Sequence, residues 1–244
     1  MDNMNKDLLY SKPLPLISDF KFNNSVVNVF SDMINRSVPG YKTTLNLINI
    51  LTSIHFDNKT NIYDIGCSLG DSSAASMKGT INKDCHFFAI DTSKEMINQC
   101  KKNLSKKYPQ KNITFINNDA LKIKFENASV VIFNFTLQFI PIDQRKYLLD
   151  RIYKGMNKNG VLILSEKIFF DDRDKQKNKN ILHEKFKSIN GYSNLEISQK
   201  KDALKKILLP ETLNDHILRL QKIGYKNISL IYQCINFSTL IAFK

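Results

Sequence analysis

Residues 62–73 read IYDIGCSLGDSS. Apolar Ile62, Tyr63 and Ile65 surround an acid, Asp64, and read as a short strand. A loop of small residues follows, and Asp71-Ser72-Ser73 opens a helix. Many nucleotide- and adenosine-binding sites begin this way: small residues let the backbone approach a ligand, and a helix N-terminus then faces it. The loop holds only two glycines, Gly66 and Gly70, with Cys67 and Ser68 between them. The pyrophosphate of a dinucleotide needs closer backbone approach than this, which argues against NAD. Taken alone, the loop is equally well explained as a structural turn.

Downstream, strands and helices alternate. HFFAI (86–90), NITFIN (112–117), VVIFNF (130–135) and VLILSE (161–166) read as strands. SKEMINQCKKNLSKK (93–107) and DQRKYLLDRIYKGM (143–156) read as helices, the first opened by a Thr92/Glu95 capping box and the second closed by an NKNG turn. The strands are short and nearly continuously apolar, as expected where helices cover both faces of a parallel sheet. This alternation predicts a doubly wound, Rossmann-like α/β domain.

Upstream, residues 1–20 read as a loose lead-in broken by Pro13 and Pro15. Helical spacing over 24–34 and 41–54, interrupted by NRSVPGY, predicts an N-terminal helical cap over residues 1–60. The core spans 61–166. Residues 167–209 are polar, lysine-rich and read as a helical insertion. Over 210–244, Pro210 opens a helix ending at Gly224, and NISLIYQ and INFSTLIAF form a C-terminal antiparallel hairpin. The whole reads as a single domain.

The bulk composition removes several classes. The 244 residues are 42% hydrophobic, enough for a packed core. No apolar run approaches the roughly 20 residues of a membrane span, and the N-terminal residues lack the pattern of a secretory signal, so a cytoplasmic protein is expected. Cys67, Cys85, Cys100 and Cys234 form no CxxC pair and read as reduced thiols. His55, His86, His183 and His216 fall on unrelated elements, so neither a metal centre nor a catalytic triad is expected. The net charge of +13 comes almost wholly from lysine, with only five arginines, in no single basic block. A solvated lysine surface explains it; a tRNA-binding face remains open.

In open α/β sheets ligands bind at the carboxyl ends of the strands. Asp64 and the GCSLG loop end the first strand. Asp91, about 20 residues beyond the loop, ends the second, where a carboxylate can accept from both hydroxyls of a ribose. Asp119, beside small Ala120, ends the third and suits an adenine amino group. Asn134 ends the fourth. Each alone has a bland reading; together they predict an adenosine-containing ligand. S-adenosylmethionine has no phosphate to cradle and suits the sparse glycines, with the backbone of Cys67 and Ser68 facing its methionine part. The KIFFDD acids read as a solvated loop and the aromatics of FNFTLQF as core.

DMINRSVPGY, YDIGCSLG, ENASVVIFNFTLQF, GYSNLEISQK and QCINFSTLIAFK together resemble the carboxy-S-adenosyl-L-methionine synthases, in order from about Phe22 to the C-terminus. The resemblance implies a class I methyltransferase fold with its parallel sheet and terminal hairpin. It implies that S-adenosylmethionine and prephenate become carboxy-S-adenosylmethionine and phenylpyruvate, with no metal. Prephenate decarboxylation supplies carbon dioxide, and the methyl acidified by the sulfonium is deprotonated and captures it. A partner tRNA carboxymethyltransferase then uses the product at the wobble uridine, so this chain needs no direct tRNA contact.

By motif, the resemblance places Tyr41 on the ligand from the cap and Gly66, Cys67 and Ser68 at the methionine end. Asp91 and Thr92 fall at the ribose, Asp119 and Ala120 at the adenine, and Asn134 nearby. It implies a homodimer, with the insertion at its interface, in which Lys201 of one subunit meets the new carboxylate in the other as the catalytic cation. Two residues depart from the family pattern: Lys201 replaces the usual arginine and loses its two-pronged fit to a carboxylate, and Thr92 replaces the usual asparagine. An ordinary methyltransferase of a small molecule or tRNA, and a non-catalytic adenosine- or tRNA-binding subunit, are the alternatives.

Overall fold

The computed structural model describes residues 5–80 and 84–244; Met1 to Met4 of the lead-in lie outside the described residues. Among the described residues, seven strands form one sheet in the order β3-β2-β1-β4-β5-β7-β6. They are β1 (Thr60–Ile65), β2 (Cys85–Asp91), β3 (Asn112–Asn117), β4 (Ala128–Asn134), β5 (Met156–Lys167), β6 (Lys226–Cys234) and β7 (Phe237–Phe243). The first five are parallel. The β6–β7 hairpin inserts β7 antiparallel beside β5, as the expected terminal hairpin requires.

The helices are α1 (Asn24–Val27), α2 (Phe30–Ser37), α3 (Tyr41–His55), α4 (Asp71–Gly79), α5 (Lys94–Lys107), α6 (Ile142–Gly155), α7 (Arg173–Ile189), α8 (Asn194–Leu204) and α9 (Leu213–Ile223). Alternate strand residues serve opposite layers. Val131 and Phe133 of β4 pack with Leu148 and Ile152 of α6 and Leu220 of α9. Val130 and Ile132 pack with Ile48 of α3, Met77 of α4 and Leu104 of α5. Both faces are therefore covered, which is why these strands carry no polar alternation. The chain crosses from β1 to β2 on one side and returns to β4 on the other, and this switch point leaves a crevice at the strands' carboxyl ends.

Several sequence expectations shift. The helix expected over 24–34 divides at Asn28 and Val29, with Asn23 capping α1 through Val26 N–H; asparagine and β-branched valine are poor helix formers. The second piece runs on to Ser37, and Gly40 makes the turn at φ +76°, where a Cβ would lie 1.9 Å from Tyr232 Oη. Ser93, rather than Thr92, caps α5: its Oγ accepts Met96 N–H at 3.1 Å. The NKNG turn lies inside β5 as an irregularity of its pairing with β4, with Asn159 at φ +66°. Pro210 precedes α9 by three residues, and Thr212 and Asp215 form the cap.

The lead-in is docked rather than loose. Gln199 of α8 donates to the carbonyls of Tyr10 and Lys12 and accepts from Leu14 N–H. Asp7 is buried and accepts from Tyr192 Oη at 2.5 Å.

Candidate active site

A cavity of about 350 Å³ opens at the carboxyl ends of the parallel strands, walled by α2, α7 and α8. The loop after β1 forms part of its floor. Gly66, Ser68 and Gly70 all take positive φ, at +71°, +51° and +93°. Gly66 has no alternative, since a Cβ there would lie 2.3 Å from both Cγ2 and Oγ1 of Thr136. Ser68 is a non-glycine held in the left-handed region, which favours glycine.

Gly66 N–H and Cys67 N–H both donate to Ile90 C=O, at 2.8 and 3.0 Å. Ser68 N–H donates to Asp91 Oδ2 at 3.0 Å. All three loop N–H groups are thus used internally. The loop offers acceptors rather than donors, which suits an ammonium and not a phosphate.

Asp91, at the end of β2, also accepts Ser93 N–H at 2.9 Å. Each of its oxygens holds one backbone donor and keeps a lone pair for another. Burial pushes its carboxyl above the usual carboxylate range, while these backbone donors pull the other way. Asp119 caps the short turn Ala120–Lys122 through Leu121 N–H at 2.9 Å and lines the cavity. Asn134 donates to Ser72 Oγ at 2.9 Å, and its buried Oδ1 has no partner. An orphaned acceptor at a cavity wall calls for a ligand donor. Tyr41 Oη donates to Asp71 Oδ2 at 3.1 Å, and burial raises the phenol well above its usual value.

The segment after β4 is set by a buried acid. Glu166 of β5 accepts Leu137 N–H and Gln138 N–H at 2.7 and 3.0 Å, and burial pushes its carboxyl up to about 8. Phe135 takes φ +61° and buries its ring between Tyr41 and Phe237.

Tyr41, Gly66, Cys67, Ser68, Asp91, Thr92, Asp119, Ala120 and Asn134 therefore converge on one cavity. Two residues behave otherwise. Asp64 lies behind the loop, not on its wall: it is buried, takes a 2.6 Å bond from Ser73 Oγ, and is raised to about 7 by burial. Lys201 lies outside the cavity of its own chain, its side chain 65% exposed and paired with Glu184 at 3.0 Å. The Cys67 thiol is buried beside Cys100, which together with burial holds it neutral, as befits a small lining residue rather than a nucleophile.

Sequence reasoning missed two parts of the wall. One is apolar: Phe20, Phe22 and Phe30 from the N-terminal segment. The other is basic: Lys167, Lys187 and Lys200 with His183. Lys167 ends β5 and would have been found by reading one more strand terminus. The others sit on an insertion whose lysines look alike in sequence.

The sheet order, the hairpin and the crevice define a class I S-adenosylmethionine-dependent methyltransferase fold. Residues 62–160 match the family model described as a methyltransferase domain. Magnesium protoporphyrin IX methyltransferase from Synechocystis, solved with bound S-adenosylhomocysteine, shares the fold at TM-score 0.59 and 14% identity, over 93% of this chain and 90% of that one. Human N-acetylserotonin methyltransferase, solved with S-adenosylmethionine, gives TM-score 0.60 at 14% identity, over 90% of this chain and 56% of that one. Carboxy-S-adenosyl-L-methionine synthases from Shewanella sp. strains ANA-3 and MR-7 are 43% and 44% identical over 242 residues, spanning 99% of this chain and 100% of each relative. The chain belongs to the carboxy-S-adenosyl-L-methionine synthase family and is a transferase. Among the described residues no cluster of His, Cys, Asp and Glu could hold a metal, and no helix is long and apolar enough to cross a membrane.

Proposed function

We propose that the chain carboxylates S-adenosyl-L-methionine with prephenate, yielding carboxy-S-adenosyl-L-methionine and phenylpyruvate, the first as carboxymethyl donor for a tRNA wobble uridine. The end-to-end identity with carboxy-S-adenosyl-L-methionine synthases carries this reading. The balance is simple: prephenate loses carbon dioxide and hydroxide as its ring becomes aromatic, and the methyl exchanges a proton for that carbon dioxide.

The residues present fit the adenosyl substrate. Asp91 accepts the ribose hydroxyls, Asp119 meets the adenine beside Ala120, and the orphaned Asn134 Oδ1 and the acceptor-rich loop at 66–68 hold the amino-acid end. Phe20, Phe22 and Phe30 exclude water, which strengthens each of these polar contacts. Lys201, in this reading, enters the partner's cavity in a homodimer and meets the new carboxylate. Its support is position: it is exposed outside its own cavity, in a shallow groove that also carries the exposed Ile181. The chain supplies its product to a separate tRNA carboxymethyltransferase.

The test is incubation with both substrates followed by mass spectrometry. A species heavier than S-adenosylmethionine by one carbon dioxide, formed only with prephenate, is expected. Recovery of unmodified S-adenosylmethionine alone would refute the reaction.

A further inference from the structure

The basic wall of the cavity is electrostatically out of balance. Lys167 ends β5, Lys187 lies on α7 and Lys200 on α8, and all three line the cavity that also holds Asp91 and Asn134. Lys200 is compensated: it pairs with buried Asp7 at 3.4 Å and donates to Ser37 Oγ at 3.1 Å. Lys167 N–H donates to Gln138 Oε1 at 3.1 Å, but among the described residues neither the Lys167 nor the Lys187 ammonium has a hydrogen bond or an ion pair within the protein. Glu184, the acid that acts on both, is already paired with Lys201. His183 adds no charge, because burial and the neighbouring lysines drive its pKa far down, and its Nε2 faces Ser37 C=O at 2.8 Å.

Two ammonium groups without an internal partner, on partly buried side chains, are costly to keep. Desolvation lowers Lys187 to about 7 and lowers Lys167 as well; Lys167, Lys200 and Lys201 add repulsion at Lys187, and Lys201 adds it at Lys167. Such a pair makes sense where a ligand brings the missing negative charge. The same wall carries Phe237 and Phe135, and His183 meets the Phe237 ring edge-on at 5.0 Å between centroids. A ligand here meets an apolar ring surface and two cations.

We propose that this wall is a second subsite, in which Lys167 and Lys187 bind the two carboxylates of a small cyclic dicarboxylic acid. The assignment rests on the reaction proposed above and gives its prephenate, a cyclic dianion, a place in this chain. It also separates the roles of neighbouring lysines: Lys167 and Lys187 serve the dianion, Lys200 is held by Asp7, and Lys201 is exposed and paired with Glu184.

The probe is phenylsuccinate, a stable aryl dicarboxylate, against the monoanion 3-phenylpropionate, titrated by calorimetry into protein saturated with S-adenosylhomocysteine. Phenylsuccinate binds at least tenfold tighter than the monoanion. Lys167→Met and Lys187→Met each weaken it tenfold or more, while S-adenosylhomocysteine affinity moves less than threefold, which also reports an intact fold. Lys187→Arg retains more of the affinity than Lys187→Met. Equal affinity for the two acids, or unchanged phenylsuccinate binding in both Met variants, overturns the subsite. If phenylsuccinate binding depends on the lysines but prephenate yields no carboxylated product, the subsite stands and the proposed reaction falls. If product forms and the KM for prephenate is unchanged in both variants, the reaction stands and the subsite falls.

Discussion

Gly66→Ala attacks the point where the loop after β1 meets the segment after β4. Two costs can be worked from the geometry. At φ +71° an alanine pays the left-handed penalty, about 1–2 kcal/mol. Its Cβ would also lie 2.3 Å from Thr136 Cγ2 and Oγ1 and 2.8 Å from Thr136 Cβ. Thr136 has little room to yield, because Leu137 and Gln138 beside it are tied to Glu166; overpacking of this kind costs about 1–3 kcal/mol. The sum, about 2–5 kcal/mol, lowers the melting temperature by about 4–20 °C for a chain of this size. Denaturant unfolding with and without S-adenosylhomocysteine measures both stability and cofactor affinity. Thr136→Ala removes the two 2.3 Å contacts, so the double variant recovers about 1–2 kcal/mol relative to additivity. A Gly66→Ala protein within about 0.5 kcal/mol of the parent, or strictly additive variants, would show that the two segments do not touch as described.

Asp91→Asn exchanges charged for neutral acceptors toward two ribose hydroxyls, at about 1 kcal/mol each, so S-adenosylhomocysteine affinity falls about 30-fold by calorimetry. Because burial raises the Asp91 pKa, parent affinity declines as the pH falls through that raised value, and the Asn variant lacks this decline. Lys187→Met stabilises the ligand-free protein. The ammonium costs stability because its pKa drops from 10.5 to about 7 on folding; the unfolded chain binds the extra proton, so the gain is full below pH 7, up to about 5 kcal/mol, and fades as pH rises to 10.5. Urea unfolding at pH 6 and pH 10 measures it, and equal differences at the two pH values would contradict a desolvated cation. Lys201→Ala lowers formation of the carboxylated product far more than S-adenosylmethionine binding; equal loss of both would remove its proposed role.

Much of the architecture was legible in local pattern. The β-strands are short and apolar because both faces are buried, and the helices between them are amphipathic, so their alternation needs no long-range information. The strand-end rule then brought Asp91, Asp119 and Asn134 to one crevice, since parallel strands end on the same side of a sheet. The same rule misread Asp64, which points behind the loop to Ser73. One-residue details, such as Ser93 in place of Thr92 as the α5 cap, depend on where the backbone leaves the strand.

The sequence alone determined the fold class and the adenosyl side of the cavity, because periodicity and strand ends carry that information locally. Tertiary structure alone decided the basic side. Lys200 and Lys201 are adjacent and chemically identical, yet successive helical residues point about 100° apart. One is buried against Asp7, 193 residues away in sequence, and the other is exposed beside Glu184. Which lysine becomes a buried charge depends on how α8 docks against the N-terminal segment, and that contact has no local signature.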